Sequence, residues 1–310
     1  MFTVETRLWQ GRAARAWSNA RISRHEVRRD GHRSTKRVQG LTLKADLHLH
    51  TREGEAFIAY GARELIDRAA EQGFDVLSIT NHDTLTFDRE LADYARERGI
   101  LLIPGVEATV EGRHVLIYNP DVHPGQIRSF AALRRYRRPD WLVVAPHPFY
   151  PGSICLGRRL LREIDLFDAV ELSHFYTRRI DFNRPAIRLA RDARRPLLGS
   201  SDAHLSEQLG TTYSLIEAQP TVASVLSAIR AGQVRIVTRP LALWEFVAIA
   251  TRLGLATAHE SARRACARWA PAGRVQRRDW ESHGGGAIAG LEAHESEERA
   301  AKVPATPSIG

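Results

Sequence analysis

Short apolar runs alternate with helical patterns from Leu43 to Pro240, and this alternation constrains the fold more than any other feature of the sequence. Eight apolar runs, such as residues 76–79 and 141–145, have the length of buried strands. Between them, apolar residues recur at helical spacing, as in residues 62–72 and 222–231. Repeated β-α units of this kind indicate an α/β fold with a mainly parallel sheet. Seven or eight units over about 200 residues predict a compact barrel of the TIM type.

The charge of the chain is unevenly distributed. The net charge is +9, but residues 1–42 alone hold 10 Lys and Arg against 3 Asp and Glu. Residues 43–240 hold 26 basic against 25 acidic residues, so the excess charge does not indicate that this part binds nucleic acid. The sequence therefore predicts three segments: an Arg-rich flexible extension at 1–42, a domain at 43–240, and a packing helix followed by a flexible tail at 241–310.

Cysteine content and hydropathy bear on the compartment. Cys155 and Cys266 are the only cysteines, and they lie far apart without the spacing of a zinc ribbon. We therefore expect a reducing, cytoplasmic environment. No apolar run reaches the roughly 18 residues that a membrane-spanning helix needs, so no membrane association is expected.

Histidine and acidic residues gather where the predicted strands end. The first group contains Asp46, His48 and His50, and the period of an extended chain turns both imidazoles to the same side. The five later groups are Asn81-His82-Asp83, Gly105-Val106-Glu107, His114, Pro146-His147-Pro148 and Ser201-Asp202-Ala203-His204. One histidine near a strand end is most often structural. The carboxyl ends of parallel barrel strands, however, converge on one rim, so six groups there predict a metal site.

In order and spacing, these groups resemble the PHP (polymerase and histidinol phosphatase) domain family over residues 43–240, about two thirds of the chain. The motifs that carry the resemblance are Asp46-Leu47-His48-Leu49-His50-Thr51, Thr80-Asn81-His82-Asp83, Pro104-Gly105-Val106-Glu107, Pro146-His147-Pro148 and Ser201-Asp202-Ala203-His204. The resemblance implies a distorted (β/α)7 TIM-like barrel. It also implies a site of two or three divalent metal ions that hydrolyses phosphate esters.

The resemblance further implies how the ligands are shared among the metals. The expected ligands of the first metal are His48, His50, Glu107 and Asp202. Glu107 would bridge to a second metal, whose other ligands are His114 and His147. The expected ligands of a third are His82, His204 and Glu55, the last standing where the family usually has His or Asp. Asp46 and Asp83 fit supporting roles, orienting imidazoles or a water, and together with Glu107 and Asp202 they are the predicted catalytic carboxylates.

Mixed nitrogen and oxygen ligation without a thiolate suits Mn²⁺, Fe²⁺ or Zn²⁺. Two such ions bridged by a carboxylate activate a water as hydroxide and neutralise charge on an in-line phosphoryl transition state. An arginine is expected to hold the remaining phosphate charge, and the candidates are Arg52, Arg113, Arg178 and Arg179. Glu171 and His174 follow another strand end, where structural support and substrate contact are equally compatible with their position.

We expect a metal-dependent phosphoesterase that acts on a small phosphorylated metabolite or nucleotide. A nuclease that trims nucleic-acid ends is the alternative enzyme, and a catalytically inactive PHP module that only binds is an alternative of another class. The helix predicted over residues 126–138 bears on this choice, because it carries Arg134, Arg135, Arg137 and Arg138. Such a cluster either attracts an anionic nucleotide or forms a solvated helix face.

Overall fold

The structure is a computed structural model that describes residues 4–6 and 41–269. Its strands are β1 (Val4–Thr6), β2 (Leu41–Leu49), β3 (Val76–Ile79), β4 (Leu101–Leu102), β5 (Gly105–Val110), β6 (Arg113–Tyr118), β7 (Leu142–Ala145), β8 (Ala169–Ser173), β9 (Leu197–Ser200), β10 (Thr212–Ala218) and β11 (Val234–Thr238). Its helices are α1 (Ala62–Glu71), α2 (Arg89–Glu97), α3 (Phe130–Tyr136), α4 (Arg159–Glu163), α5 (Asn183–Asp192), α6 (Val222–Arg230) and α7 (Leu243–Trp269). Every strand and helix predicted between residues 43 and 231 is present, with ends shifted by a few residues.

The described strands form two sheets. The first has the order β1-β11-β10-β2-β3-β4, and the second has the order β5-β6-β7-β8-β9. Isolated bridges join Leu49 to Ala203 and His82 to Glu107, so the two sheets meet near the ends of β2 and β3. The fold is mixed α/β as expected. The hydrogen-bonded strands do not make one closed ring, so the (β/α)7 barrel remains a prediction.

The expectation of a mainly parallel sheet is only half right, because four of the nine strand pairings among the described residues are antiparallel. No strand is predicted at the position of β5, which forms a hairpin with β6. Glu111 and Gly112 connect the two strands with φ of 48° and 74°. Two successive left-handed residues are typical of a type I′ turn, whose twist matches that of a two-stranded ribbon.

The main hydrophobic core lies between the sheets. It contains Leu47 and Val76 from the first sheet and Leu116, Leu142 and Leu198 from the second. The apolar faces of α1 and α2 pack against the outer side of β3, and those of α3 and α4 pack against the second sheet. Most apolar residues of the strands are buried in these layers, and polar residues lie at or just after the carboxyl ends of β2, β3, β7, β8 and β9.

The ends of the chain are only partly described. Val4–Thr6 lies within the segment predicted to be a flexible extension, and it pairs in parallel with β11. Residues 7–40 and 270–310, which include most of the predicted flexible extension and tail, lie outside the described residues. The described residues divide into two units between Thr257 and Ala258. Within the described part, no helix combines the length and apolarity needed to cross a membrane.

Candidate metal centre

The first two histidines of the site lie at the end of β2, His48 within the strand and His50 just after it. His48 and His50 are fully buried, with ring centroids 5.1 Å apart. Leu47 and Leu49, which alternate with these histidines along the chain, are buried in two different apolar clusters, and the pairing of β2 with β3 shifts register between Asp46 and Leu49. The two imidazoles nevertheless lie side by side.

Glu107 on β5 contacts five imidazoles of the site. Its Oε1 lies 2.7 Å from His114 Nδ1 and 3.2 Å from His147 Nε2. Its Oε2 lies 3.2 Å from His48 Nε2, 3.3 Å from His50 Nε2 and 3.0 Å from His82 Nε2. Each carboxylate oxygen thus faces a separate set of imidazoles, which is the arrangement that a carboxylate bridging two metal ions requires.

Asp202, which follows β9, is the second carboxylate that contacts these imidazoles. Its Oδ1 lies 3.3 Å from His48 Nε2 and 3.2 Å from His50 Nε2, and its Oδ2 lies 4.0 Å from His147 Nε2. The structure therefore brings together all four residues predicted for the first metal, and His147 of the second set approaches the same carboxylate.

The residues predicted for a third metal are also adjacent. His50, His82 and His204 present ring nitrogens within 4.8 Å of one another. Glu55 Oε1 lies 3.3 Å from His50 Nδ1 and 2.7 Å from His82 Nδ1, and it also accepts a hydrogen bond from the His82 backbone N–H at 3.0 Å. The Glu55 carboxylate therefore contacts two of these imidazoles on their Nδ1 side, a position that orients the rings.

The donor set fits divalent cations. Four triads of His, Glu and Asp offer atoms within 4.8 Å of one another: His50-His82-His204, His48-His50-Glu107, His48-His147-Asp202 and His82-Glu107-His114. Among the described residues, the buried atoms His50 Nε2, His114 Nδ1 and Asp202 Oδ1 make no hydrogen bond of good geometry, although each lies within 3.3 Å of a carboxylate oxygen or an imidazole nitrogen. Buried polar atoms are rarely left unsatisfied, and coordination by a metal would satisfy these lone pairs.

The electrostatics of the cluster are strongly coupled. Burial lowers the pKa of His48, but the carboxylates of Asp202, Glu171 and Glu107 outweigh it and raise the pKa well above its usual value. Burial raises the pKa of Glu107, yet the surrounding imidazoles of His114, His48 and His82 hold it well below the usual range. Without metal, Glu107 therefore stays ionised and His48 holds a proton, and each charge compensates the other.

Glu171 on β8 forms hydrogen bonds to two of the predicted ligands, His48 and His147. Its Oε1 accepts hydrogen bonds from His48 Nδ1 at 2.8 Å and Ser200 Oγ at 2.9 Å, and its Oε2 accepts from the His147 backbone N–H at 2.7 Å. A carboxylate on the far nitrogen of a ligating histidine fixes the tautomer and raises its basicity. Of the two roles left open by the sequence, these contacts are those of structural support.

The two other predicted carboxylates also contact backbone. Asp46 Oδ1 accepts from the Ser201 N–H at 3.1 Å, and burial raises the pKa of Asp46 to about 7. Asp83 accepts from the Thr109 N–H at 2.8 Å and pairs with Arg128 at 3.0 Å. Asp83 is expected to orient an imidazole or a water, and among the described residues its carboxylate contacts the Thr109 backbone and Arg128.

Two of the four arginines predicted to bind phosphate contact other groups of the chain. Arg52 is exposed and pairs with Glu64 at 2.7 Å. Arg113 donates to the carbonyl oxygens of Ser153 and Cys155, and so holds the loop after His147. Arg178 and Arg179 are exposed. Sequence patterns could not reveal the contacts of Arg52 and Arg113, because their partners lie 12 to 42 positions away.

The basic cluster on and after α3 is largely neutralised. Arg134 pairs with Glu163 and Asp165, Arg137 with Asp168, and Arg138 with Asp121. The guanidinium of Arg135 lies 5.7 Å from the ring centroid of Tyr136. Of the two interpretations that the sequence allowed, these ion pairs favour the solvated helix face.

The structure also reveals two contacts that sequence reasoning missed. Cys155 Sγ lies 3.4 Å from His147 Nδ1, and Gln208 Nε2 lies 2.9 Å from His174 Nε2. Neither Cys155 nor Gln208 belongs to a motif, so no signal in the sequence pointed to them.

Comparison with known proteins finds relatives of PHP type. A family model described as PHP-associated matches residues 181–234. A two-domain protein of Bacteroides vulgatus containing a predicted PHP-like metal-dependent phosphoesterase shares the fold, with a TM-score of 0.51 and 19% identity over 69% of this chain and 70% of that chain.

Two curated relatives match shorter stretches. A 5′-3′ exoribonuclease of Haemophilus influenzae is 38% identical over 105 residues, which are 31% of this chain and 38% of that protein. A 3′,5′-nucleoside bisphosphate phosphatase of Chromobacterium violaceum is 36% identical over 94 residues, which are 30% of this chain and 32% of that protein. This chain therefore spans about a third of the length of these two relatives.

Proposed function

We propose that the chain is a metal-dependent phosphoesterase of the PHP family and that it hydrolyses the phosphate ester of a small phosphorylated metabolite or nucleotide. The observation that carries the proposal is Glu107, whose two oxygens face separate sets of imidazoles. We also infer that the two sheets are the walls of a distorted barrel whose rim carries the site. The cytoplasm remains the expected compartment.

The residues of this chain have distinct roles in the proposed reaction. His48, His50, Glu107 and Asp202 would hold one divalent ion, and Glu107 with His114 and His147 a second. Mn²⁺, Fe²⁺ or Zn²⁺ suits these donors. When bound, such ions lower the pKa of water and offset phosphate charge. Glu171 keeps His48 in one tautomer, because it accepts from its Nδ1. Glu55, on the Nδ1 side of His50 and His82, orients both rings or joins His82 and His204 at a third ion.

The size of the substrate is inferred from the basic cluster on and after α3. Three of the four arginines of the α3 cluster are paired with carboxylates. A long polyanion requires free cations along its path, because its affinity comes from phosphate neutralisation. This favours a small substrate whose charge is met at the metal centre. The bisphosphate phosphatase relative is in line with this choice.

A nuclease is the second candidate, and the exoribonuclease relative favours it. A catalytically inactive module is the third, but it fits poorly with a set of expected ligands that is nearly complete, with Glu55 as the one replacement. The test compares p-nitrophenyl phosphate, a 3′,5′-nucleoside bisphosphate and a 5′-phosphorylated oligonucleotide as substrates of the Mn²⁺-loaded protein. Turnover of the first two without cleavage of the oligonucleotide is expected. Processive shortening of the oligonucleotide supports the nuclease, and no turnover of any substrate contradicts both enzymes.

A further inference from the structure

His174 occupies a rigid position beside the metal centre. It follows β8 and is only 2% exposed. The backbone just before it is held by Asn183, whose side chain accepts from the Ser173 N–H at 3.0 Å and donates to the Ser173 carbonyl at 2.9 Å. The His174 carbonyl accepts from the Tyr176 N–H at 2.9 Å. Its position is therefore fixed by the backbone as well as by burial.

The side-chain amide of Gln208 can have only one orientation. Its Oε1 lies 3.0 Å from the His204 backbone nitrogen and 2.7 Å from that of Leu205. Backbone N–H groups only donate, so the atom between them must be the amide oxygen. The Gln208 Nε2 amide is then the atom that faces His174 Nε2, at 2.9 Å.

This orientation determines the tautomer of His174. An amide nitrogen donates and cannot accept, so His174 Nε2 must be the unprotonated acceptor and the proton must lie on Nδ1. Burial lowers the pKa of His174 to about 4, against the opposing influence of the Asp202 and Glu171 carboxylates, so the ring is neutral near pH 7. The Nδ1–H is thus a neutral donor near the carboxylates of the site.

That donor has no partner in the part of the chain that the structure describes, since His174 Nδ1 is a buried atom without a hydrogen bond. Leaving a buried donor unpaired is costly, and such an atom in a well-packed site calls for an explanation. A bound substrate oxygen supplies one.

We propose that Gln208 fixes His174 as the Nδ1–H tautomer so that this N–H donates to an oxygen of the phosphate ester bound at the metal centre. His174 is then a substrate-contacting residue and Gln208 a positioning residue, which also fixes the His204 backbone. This inference rests on the proposed phosphoesterase function and names the residue that contacts its substrate. It explains why a neutral imidazole is held among carboxylates that would otherwise favour its protonation.

The tautomer is tested directly by ¹⁵N NMR of the histidine rings in Zn²⁺-loaded protein, which requires no variant. The expected result at pH 7 is a His174 ring protonated on Nδ1 and unprotonated on Nε2. A proton on Nε2, or on both nitrogens, overturns the inference. Gln208→Leu is expected to change this signature, because it removes the amide that imposes the tautomer. An unchanged His174 signature in Gln208→Leu contradicts the positioning role.

A matched pair of variants tests the contact. In His174→Asn an amide donor remains near the position of Nδ1, whereas His174→Gln keeps an acceptor for Gln208 and loses that donor. We expect His174→Gln to lower kcat/KM on p-nitrophenyl phosphate about 10- to 100-fold, as for loss of a hydrogen bond to a charged group, with unchanged metal content. His174→Asn is expected to retain most of the activity.

Equal activity of His174→Gln and wild type, or equal loss in both variants, overturns the inference and leaves the proposed function intact. A wild-type protein that hydrolyses no phosphate ester contradicts the proposed function instead. The NMR result then still decides the tautomer.

Discussion

At the scale of residues, two predicted ligands occupy unusual backbone conformations. His147 has φ of 27° and Asp202 has φ of 48°, both in the left-handed region that non-glycine residues rarely adopt. Such strain persists only where the surroundings hold it in place, and it is concentrated at functional sites. At His147, the hydrogen bond from its backbone N–H to Glu171 helps to stabilise this backbone conformation. The backbone therefore aims these two side chains at Glu107 and at the other imidazoles.

Removal of a central ligand should abolish hydrolysis. We expect His48→Ala and Asp202→Ala each to lower kcat/KM by more than about 100-fold, since loss of even an outer partner of a metal ligand costs 10- to 100-fold. Bound metal, measured by elemental analysis, should fall, while circular dichroism shows a retained fold. His123→Ala is the control, because His123 is exposed in a loop away from the cluster. Undiminished turnover in either ligand variant would contradict the assigned site.

At the scale of elements, β9 lies where the two sheets meet. The Gly199 N–H donates to Ser214 Oγ on β10, and the Gly199 carbonyl accepts from the same hydroxyl, both at 2.9 Å. A Cβ at Gly199 would lie 2.4 Å from Ile236 Cγ2 on β11. Glycine at this position therefore lets the second sheet approach the first, and this approach places Asp202 opposite His48.

Gly199→Ala should destabilise the fold. Because the added methyl overlaps a buried side chain, we expect the free energy of unfolding to fall by about 1–3 kcal/mol in urea denaturation. Gly152→Ala is the matched control: the nearest atom to its Cβ is Ile154 Cγ1 at 3.8 Å, so the change should stay within about 0.5 kcal/mol. Equal stability of the two variants would show that the sheets do not approach each other closely at Gly199.

At the scale of the whole molecule, the candidate ligands link both sheets. His48 and His50 come from the first sheet, Glu107 and His114 from the second, and Asp202 follows β9. Metal ions bound by these side chains would join segments that are distant in the sequence. Metal binding should then contribute to the stability of the entire domain, because the unfolded chain presents no such set of ligands.

Removal of metal should lower the melting temperature. We expect dialysis against EDTA to reduce Tm, and added Mn²⁺ to restore it in a concentration-dependent manner. A metal at 100 times its Kd adds about 2.7 kcal/mol of stability. The Asp202→Ala variant should show a smaller response, since it lacks a ligand. A wild-type Tm that is insensitive to EDTA and to Mn²⁺ would contradict metal binding at this cluster.

Much of the fold and the candidate ligands could be predicted from the sequence because their signals are local. Strand period turns His48 and His50 to one side, and helical spacing identified α1, α2, α5 and α6. The β5–β6 hairpin was missed because its Glu111-Gly112 turn is not among the common hairpin dipeptides. The arginine roles were unpredictable for another reason: a guanidinium binds whichever carboxylate or carbonyl the fold brings near.

The sequence by itself determined which side chains stand at the ends of the strands, because backbone geometry sets the side-chain period over a few residues. Only the tertiary structure decided what those side chains contact. Glu171 hydrogen-bonds to His48 across 123 positions, and Gln208 to His174 across 34. Contacts at such separations depend on how the sheets pack, and packing is a property of the whole chain that no short pattern contains.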